Sequence, residues 1–506
     1  MRKKRSLYNF ITQFLFKAIQ MSFGLILPRL FIMTFGSATN GLISAIDSII
    51  AYIAVLEMGI GMVSLQALYD PINRKDHRRI NEILSATEKY FRRVGFIVLF
   101  CVLALATLYP LVKDTGIDYW TVVFVVILCG STTILDFFVQ SKYRILLNAD
   151  AKGYVLNLMA TLVLIVANIA KIILIYCGFN VIVIQLSFSL VNLAKILLVK
   201  LYVHKNYPYI NEKTEPDYSA LSERKYAFVH QITTVLFNNV DAVIIAAMYD
   251  LKMVSVYTLY KMIFSNIVVI TSSISLGVRE TFGQLYQENK ERFKKLYHSF
   301  AVYYTAILFA IYATAYLLCI PFITLYTQGI EDVNYIVRGL PLLFVLCEFF
   351  NTMRILESNV STWAGHFRQT QVPAIVEAVM NLVLSVIFAF FMGINGVILA
   401  TILAIQYRLI SLTVYTNRNL LNQSPMVSFK RWGINLAAGA IVIFAASNLL
   451  PPILSYGMFI ICGFVLVSVL LVLFLAVNIA CDHAAFNTAV SFLKEILNGR
   501  KKQKSR

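Results

Sequence analysis

The chain has 506 residues, of which 59% are hydrophobic and 14% charged, and its formal net charge is +18. A soluble domain of this length needs far more polar surface than this composition supplies, which excludes a soluble globular protein. Apolar stretches of about 20 residues, the length that crosses ~30 Å of hydrocarbon, recur along the chain and predict an all-α integral membrane protein.

The hydropathy pattern predicts fourteen membrane spans. The basic N-terminal segment resembles the start of a signal peptide, but the apolar run behind it is too long and no small-residue cleavage site follows. We therefore expect this segment to be retained as the first helix. The predicted spans are 8–34, 40–68, 94–112, 119–141, 154–177, 180–202, 228–249, 253–278, 298–325, 335–357, 372–392, 395–416, 432–450 and 456–480.

The distribution of basic residues predicts the orientation of these spans. With the N-terminus inside, 34 of the 44 Lys and Arg residues fall in inside loops, tails or the adjoining span edges. Basic loops lie beside anionic lipid on the cytoplasmic face, so both termini are predicted to be cytoplasmic. The excess of basic over acidic residues is thus explained by the membrane topology, and no nucleic-acid partner is expected.

The cysteines give no sign of a disulfide framework. All seven lie within or at the ends of apolar spans, without paired spacing. Buried apolar packing is their expected role, and we predict neither a metal site nor a cofactor.

The sequence contains signs of an internal duplication. The segment 136–153, "DFFVQSKYRILLNADAKG", resembles 348–365, "EFFNTMRILESNVSTWAG", and at nearly the same offset "LYVHKN" (201–206) resembles "VYTNRN" (414–419). The pattern predicts two parallel six-helix lobes around a central cavity, followed by two additional helices. The predicted domains are an N-terminal lobe with its cytoplasmic linker (1–225), a C-terminal lobe (226–418), and the last two helices with a basic cytoplasmic tail (419–506).

Fourteen charged residues within the predicted spans are candidates for the bundle interior. Each would cost about 3 kcal/mol facing lipid at mid-bilayer, so most must face one another, line water or lie near a membrane surface. The set comprises Lys17, Arg29, Asp47, Glu57, Asp136, Lys171, Lys195, Asp241, Lys261, Glu348, Arg354, Glu357, Glu377 and Arg408.

Many of these residues belong to polar stripes at helical spacing. Examples are the stripes Asn40, Ser44, Asp47 in the second span, Gln231, Thr234, Asn238, Asp241 in the seventh, and Glu377, Asn381, Ser385 in the eleventh. Such a face must turn toward the bundle interior, where it either binds helices together or lines a polar cavity. We favour the cavity for Lys17, Arg29, Asp241 and Lys261, while Arg354, Glu348 and Glu357 could equally lie at the inner surface.

Spans thirteen and fourteen carry no ionisable residue in their apolar runs, which places any pathway in the first twelve.

Four longer segments resemble a known superfamily. They are "FGSATNGLISAIDSIIAYIAVLEMGIG" (35–61), "ALYDPINRKD" (67–76), "NNVDAVIIAAMYDLKMVSVYTLY" (238–260) and "AGHFRQTQVPAIVEAVMNLVLS" (364–385). With fourteen spans and a parallel duplication, they resemble the multidrug/oligosaccharidyl-lipid/polysaccharide (MOP) flippase superfamily, in particular its Wzx-like polysaccharide exporters.

The resemblance implies a carrier of undecaprenyl-pyrophosphate-linked oligosaccharides in the bacterial cytoplasmic membrane, working by alternating access for envelope polysaccharide synthesis. It implies membrane lipids, a proton or sodium ion as coupling ion, and a polymerase and glycosyltransferases of the same pathway as partners. Cations inside a wet cavity suit a pyrophosphate head group. The expected substrate-binding residues are Lys17, Arg29, Lys261 and Arg408, and the expected ion-coupling or gating residues are Asp47, Asp241 and Glu377.

Three alternatives remain at this stage. A MATE-like exporter of drugs or metabolites would share the fold. A membrane-embedded polysaccharide polymerase or ligase would act on the same substrate, but it needs a sizeable outside loop with catalytic residues, and no constellation of nucleophile and base is found here. A scaffold would leave the intramembrane charges unexplained. We therefore expect a transporter and not an enzyme.

Overall fold

The computed structural model describes residues 2–211, 214–217, 225–366 and 368–491. Within these ranges the chain is helical and contains no β-strand. The predicted basic tail lies mostly outside the described residues, as does the side chain of Glu57.

Fourteen principal α-helices follow one another along the described chain. They are α1 (Arg2–Arg74), α2 (His77–Val112), α3 (Tyr119–Leu135), α4 (Ser141–Ala149), α5 (Gly153–Tyr176), α6 (Val181–Asn206), α7 (Lys225–Met248), α8 (Leu251–Glu288), α9 (Lys290–Tyr326), α10 (Leu340–Trp363), α11 (Gln371–Met392), α12 (Ile394–Tyr415), α13 (Met426–Leu449) and α14 (Tyr456–Cys481). A π-helical segment, Asp136–Gln140, joins α3 to α4, and a second, Thr416–Leu420, follows α12.

These helices account for the predicted spans. Eleven helical segments in the described ranges are long and apolar enough to cross a membrane. The other three spans are the second half of α1, α7 with its short apolar stretch Phe237–Met248, and α10, which carries three ionisable side chains. The prediction of an all-α protein with many membrane spans is confirmed.

The long helix α1 is two helices joined at a break. Gly36 has φ 81° and ψ 166°, a conformation that L side chains rarely adopt, so the helix 2–35 ends there and a new helix, 37–74, begins. The amide and the hydroxyl of Ser37 each donate to the carboxylate of Asp332 at 2.7 Å, which caps the new helix. The predicted first and second spans lie on either side of this break.

The segment after α6, predicted as a cytoplasmic linker, docks on the first turns of α2. The Asn81 amide donates to the Tyr209 carbonyl at 2.9 Å and its side-chain oxygen accepts from the Asn211 amide at 3.0 Å. The Ser85 hydroxyl donates to the Thr214 carbonyl at 2.6 Å, and Arg79 forms an ion pair with Asp217. These contacts fix the described part of the linker against α2.

Packing divides the chain into two units. Unit 1 comprises Met1–Leu259 and Gly329–Val333, and unit 2 comprises Tyr260–Gln328 and Asn334–Arg506. In unit 1, α1 packs against α2, α5 and α7; in unit 2, α11 packs against α12, and α9 packs against α10, α13 and α14. The lobe boundaries after residues 225 and 418 describe the sequence repeat and stay predictions.

Candidate functional site

The helical hairpin of α11 and α12 forms the frame of a buried charged cluster in unit 2. Its turn needs a glycine, since Gly393 has φ 64°. The Asn381 amide donates to the Thr401 hydroxyl at 3.2 Å, and the Ser385 hydroxyl donates to the Asn381 side-chain oxygen at 3.2 Å. All three side chains are buried, so the polar stripe of the eleventh span faces inward as its spacing predicted.

Glu377 lies one turn before Asn381 on the same face and binds two guanidinium groups. Its Oε1 accepts from Nη1 of Arg354 on α10, and its Oε2 accepts from Nη1 of Arg408 on α12. The three side chains, in the order Glu377, Arg354 and Arg408, are 2%, 17% and 12% exposed. We call these residues the Glu377 triad. It joins three helices through a single buried carboxylate.

A relay of side chains extends the triad along α10. Nη2 of Arg354 donates to the Asn351 side-chain oxygen at 2.7 Å, and the Asn351 amide donates to Glu348 at 2.8 Å. Lys261 on α8 is near enough for its charge to act on Glu348. The sequence left Arg354 undecided between the interior and the inner membrane surface, and the structure places it in the interior of unit 2.

Glu357 is also an interior residue of unit 2. It is 2% exposed and accepts a 2.5 Å hydrogen bond from the hydroxyl of Thr416, in the π-helical segment that follows α12. The charge of Arg431 on α13 acts on the same carboxylate. This second acid therefore joins α10 to the end of α12 near α13, apart from the Glu377 triad.

Three of the sequence-predicted residues lie on α1 in unit 1. Lys17 is exposed and donates to the Gln20 side chain at 3.0 Å, while Arg29 is half-buried before the break. Asp47 is exposed on the helix 37–74, and the charge of Lys171 on α5 acts on it. The Lys171 ammonium lies 3.9 Å from the ring centroid of Phe188. Such cation–π contacts stabilise a charge away from bulk water.

Asp241 on α7 is buried in unit 1. It is 6% exposed and its carboxylate accepts a hydrogen bond from the Tyr257 hydroxyl at 3.3 Å. Thr234 and Asn238, on the same predicted stripe, are exposed, whereas the Gln231 side chain lies outside the described residues. Asp241 therefore forms the buried end of a stripe whose other described members are exposed.

The structure thus brings together only some of the predicted residues. Glu377 and Arg408 are in direct contact, whereas Lys261 lies beside the relay that leads from them. The others, Lys17, Arg29, Asp47 and Asp241, belong to unit 1. The assignments of these residues to substrate binding or ion coupling stay predictions.

A related set of charges occurs in unit 1. Arg144 lies 3.4 Å from Asp136, and the charge of Lys195 acts on the same carboxylate. Asp136 and Glu348 are the first residues of the two repeated segments, and Lys195 and Arg408 are related by nearly the same offset. Arg144 corresponds to Arg354 through the shared "RIL" sequence. The repeat therefore relates three charged positions in the first half to three in the second.

This correspondence is the signal that could have identified Arg354 from the sequence. Between "FF" and "RIL", the first half has two more residues than the second, and the π-helical segment Asp136–Gln140 lies at this point. π-Helical turns accommodate inserted residues within a helix. A comparison at one fixed offset pairs Arg354 with Lys142 and so hides its relation to Arg144.

Chemically, these clusters suit the binding of anions. Among the described residues, no three His, Cys, Asp or Glu side chains lie together as a metal site requires. Guanidinium groups that converge on one pair of oxygens are the arrangement by which proteins hold carboxylates and phosphates. The cluster around Glu377 can therefore bind anions or hold helices together.

Comparison with known proteins agrees with this architecture. Residues 227–391 match the MatE family. The structure is similar to that of the lipid II flippase MurJ in an inward closed conformation, with a TM-score of 0.64 and 15% identity over 94% of this chain and 99% of the other. No curated protein matches the chain by sequence.

Multidrug resistance MATE family transporters of the MOP superfamily are similar as well. An inward-facing one gives a TM-score of 0.58 with 15% identity, covering 78% of this chain and 96% of that one. An outward-facing transporter of this family gives a TM-score of 0.55 with 16% identity, covering 89% of this chain and 97% of the other. The fold expected of this superfamily is thereby confirmed, and the Wzx-like branch stays a prediction. The chain has the multi-span helical fold of the multidrug/oligosaccharidyl-lipid/polysaccharide flippase superfamily.

Proposed function

We propose that the protein is a flippase that moves undecaprenyl-pyrophosphate-linked oligosaccharides across the bacterial cytoplasmic membrane by alternating access. The observation that carries this proposal is the extent of the similarity to the lipid II flippase, which covers 94% of this chain. The part left uncovered is shorter than α13 and α14 taken together. The similarity therefore extends beyond the twelve spans of the predicted repeat.

The charges inside the spans support an anionic substrate. A pyrophosphate group attracts cations, and Lys17, Arg29, Lys261 and Arg408 are the proposed contacts. Uncharged stripe residues such as Asn238 and Thr234, both exposed on α7, would donate and accept hydrogen bonds with sugar hydroxyls. Asp47, Asp241 and Glu377 are the proposed ion-coupling or gating residues.

Within this proposal, the protein lies in the cytoplasmic membrane with both termini in the cytoplasm, and glycosyltransferases and a polymerase act before and after it. A proton or a sodium ion drives the cycle. No catalytic chemistry is required, because the lipid-linked glycan is the same molecule on both sides of the membrane.

A MATE-like exporter is the second candidate, and the match of residues 227–391 to the MatE family favours it. The two candidates differ in the charge of their cargo. A cationic drug would be repelled by Lys17 and Arg29, whereas a pyrophosphate would be attracted. Export of a cationic dye, measured beside translocation of a lipid-linked oligosaccharide in the same proteoliposomes, separates them.

The direct test replaces Lys17 and Arg29, the two basic residues within the first predicted span, 8–34. In Lys17→Ala/Arg29→Ala we expect normal insertion and accumulation of lipid-linked oligosaccharide on the inner leaflet, with translocation reduced about tenfold for each cation lost. Arg78→Ala, on the cytoplasmic end of α2 with a side chain 89% exposed, is the matched control and should translocate normally. Normal translocation in the double variant would refute the cationic site.

A further inference from the structure

The Glu377 triad has an unusual charge balance. One carboxylate forms ion pairs with two guanidinium groups, those of Arg354 and Arg408, and all three side chains are at least four-fifths buried. Breaking a buried ion pair leaves an uncompensated charge that is costly in a low-dielectric interior. A site with two cations and one anion can therefore stabilise a further anionic oxygen.

Arg408 offers a donor for such an oxygen. Its Nε–H is buried and has no hydrogen-bond partner among the described residues. Buried donors are nearly always paired, and a missing acceptor on a charged group is costly. The unpaired Nε–H lies on the same guanidinium that binds Glu377, so an anion held by Arg408 through two nitrogens would satisfy it.

The geometry of the triad is that of a phosphate site occupied by a side chain. Arg354 and Arg408 approach from two helices and end on the two oxygens of a single carboxylate. A phosphoryl group presents two such oxygens in a similar arrangement and carries more charge than a carboxylate. We propose that Arg354 and Arg408 form a phosphoryl-binding subsite in unit 2 and that Glu377 is an internal ligand that the phosphoryl group displaces.

The first half of the chain supports this reading of Glu377. Asp136, Arg144 and Lys195 repeat the charges of Glu348, Arg354 and Arg408. At the corresponding offsets from Glu377, however, residues 162–165 are Leu, Val, Leu and Ile. Related helices thus carry the related charges without an acid at this position. This difference points to a role for Glu377 in controlling the second site.

This inference rests on the proposed function, because it specifies where the phosphoryl groups of the same anionic substrate bind. Its consequence is a difference between the two halves. In unit 1, Arg144 lies 3.4 Å from Asp136 and its side chain is 36% exposed, whereas Arg354 and Arg408 in unit 2 are held by the Glu377 carboxylate, which is only 2% exposed. Substrate must therefore compete with an internal carboxylate in unit 2, which sets a lower affinity and allows release after translocation.

The test measures binding of inorganic pyrophosphate to the full-length protein in lipid nanodiscs by isothermal titration calorimetry at constant ionic strength. In Glu377→Gln, which keeps the side-chain shape and removes the charge, we expect the Kd to fall on the order of tenfold. The double variant Glu377→Gln/Arg408→Gln should lose this increase in affinity for pyrophosphate. The affinity of Glu377→Gln for chloride should not increase to a comparable extent.

Glu377→Asp provides a second route if the neutral variant does not fold. The shorter Asp side chain keeps the negative charge but places the carboxylate one methylene farther from Arg354 and Arg408. A smaller fall in the Kd for pyrophosphate is expected. The inference is overturned if a folded Glu377 variant binds pyrophosphate no more tightly than the parent, if the gain survives loss of Arg408, or if chloride gains equally. Translocation by the parent protein is measured separately. A failed binding test therefore rejects only the phosphoryl-binding subsite, whereas a lack of translocation by the parent rejects the flippase proposal.

Discussion

Ser37 and Asp332, which lie far apart in the chain, are joined by two hydrogen bonds of 2.7 Å. The carboxylate accepts from the first amide of the helix 37–74 and from the Ser37 hydroxyl. An acid at a helix N-terminus satisfies an otherwise unpaired N–H and interacts favourably with the helix dipole. The backbone carbonyl of Asp332 also accepts from Lys252 at 3.1 Å.

We therefore expect Asp332→Ala to destabilise unit 1. Because Asp332 is exposed, solvent reduces the effect, and a loss of about 1–2 kcal/mol is expected. Thermal unfolding in nanodiscs measures it. Glu331→Ala, at the adjacent exposed position, is the control and should unfold at the parental temperature. Equal stability of Asp332→Ala and the parent would show that the cap does not contribute.

Close packing of α1 against the start of α8 gives a second prediction. A Cβ on Gly41 would lie 1.7 Å from the backbone oxygen of Leu251, and backbone cannot move aside as a flexible side chain can. Gly41→Ala should therefore force the helices apart and cost about 1–3 kcal/mol or more, as overpacking does. Reduced yield of folded protein on size-exclusion chromatography, together with a lower melting temperature, would be the result.

Gly24→Ala is the matched control for Gly41. Gly24 lies before the break in α1, on the helix 2–35, and a Cβ there meets no atom within 4 Å. Alanine favours helix over glycine by about 0.5–1 kcal/mol, so this variant should be as stable as the parent or slightly more so. If both variants behaved alike, the close approach of Gly41 to Leu251 would be refuted.

The fold could be predicted from the sequence because the membrane restricts its choices. Apolar length predicted the spans, and the spacing of Glu377, Asn381 and Ser385 predicted the buried face of α11. In a bilayer the polar face of a helix can only turn inward, so periodicity within one helix is sufficient for this conclusion. The break at Gly36 likewise fell between two predicted spans.

The partners of the charges could not be predicted in the same way. Whether Arg354 reaches Glu377 depends on the rotation of α10 against the α11–α12 hairpin, which is set by packing and leaves no local pattern. The contact of Ser37 with Asp332 has the same origin. For Arg354, the insertion at the π-helical segment further concealed its relation to Arg144.

Docking of the linker on α2 gives a third prediction. The Asn81 side chain both donates to Tyr209 and accepts from Asn211, so Asn81→Ala removes two hydrogen bonds at once. We expect loss of about 1–3 kcal/mol of local stability and faster tryptic cleavage of the linker. Cleavage rates are read from gels or mass spectra of the folded protein.

Asn206→Ala is the control for the linker. Asn206 is exposed at the end of α6, and its side chain bonds only within its own helix in the described structure, to the Tyr202 carbonyl at 2.8 Å. Its loss should leave cleavage of the linker unchanged. Parental cleavage in Asn81→Ala, or equal acceleration in both variants, would contradict a docked linker.

The residue after α14 gives a prediction about pH. Asp482 lies 2.7 Å from His298 on α9, and its carboxylate also accepts from the Ala485 amide at 3.0 Å. Partial burial tends to raise the pKa of Asp482, but the Ala485 amide and His298 outweigh it, so the pKa lies below its usual value of 3.8. The carboxylate thus favours the folded state while it is charged.

The sign of the pH effect follows from this depressed pKa. A carboxylate whose pKa is lower in the folded state contributes stability above its unfolded pKa and loses it as pH falls through the folded pKa. Asp482→Asn should therefore lower the melting temperature at about pH 5, by an amount equivalent to roughly 1 kcal/mol after solvent screening. Below about pH 4 the difference should shrink. A difference that grows as the pH falls below about 5 would contradict a stabilising charged Asp482.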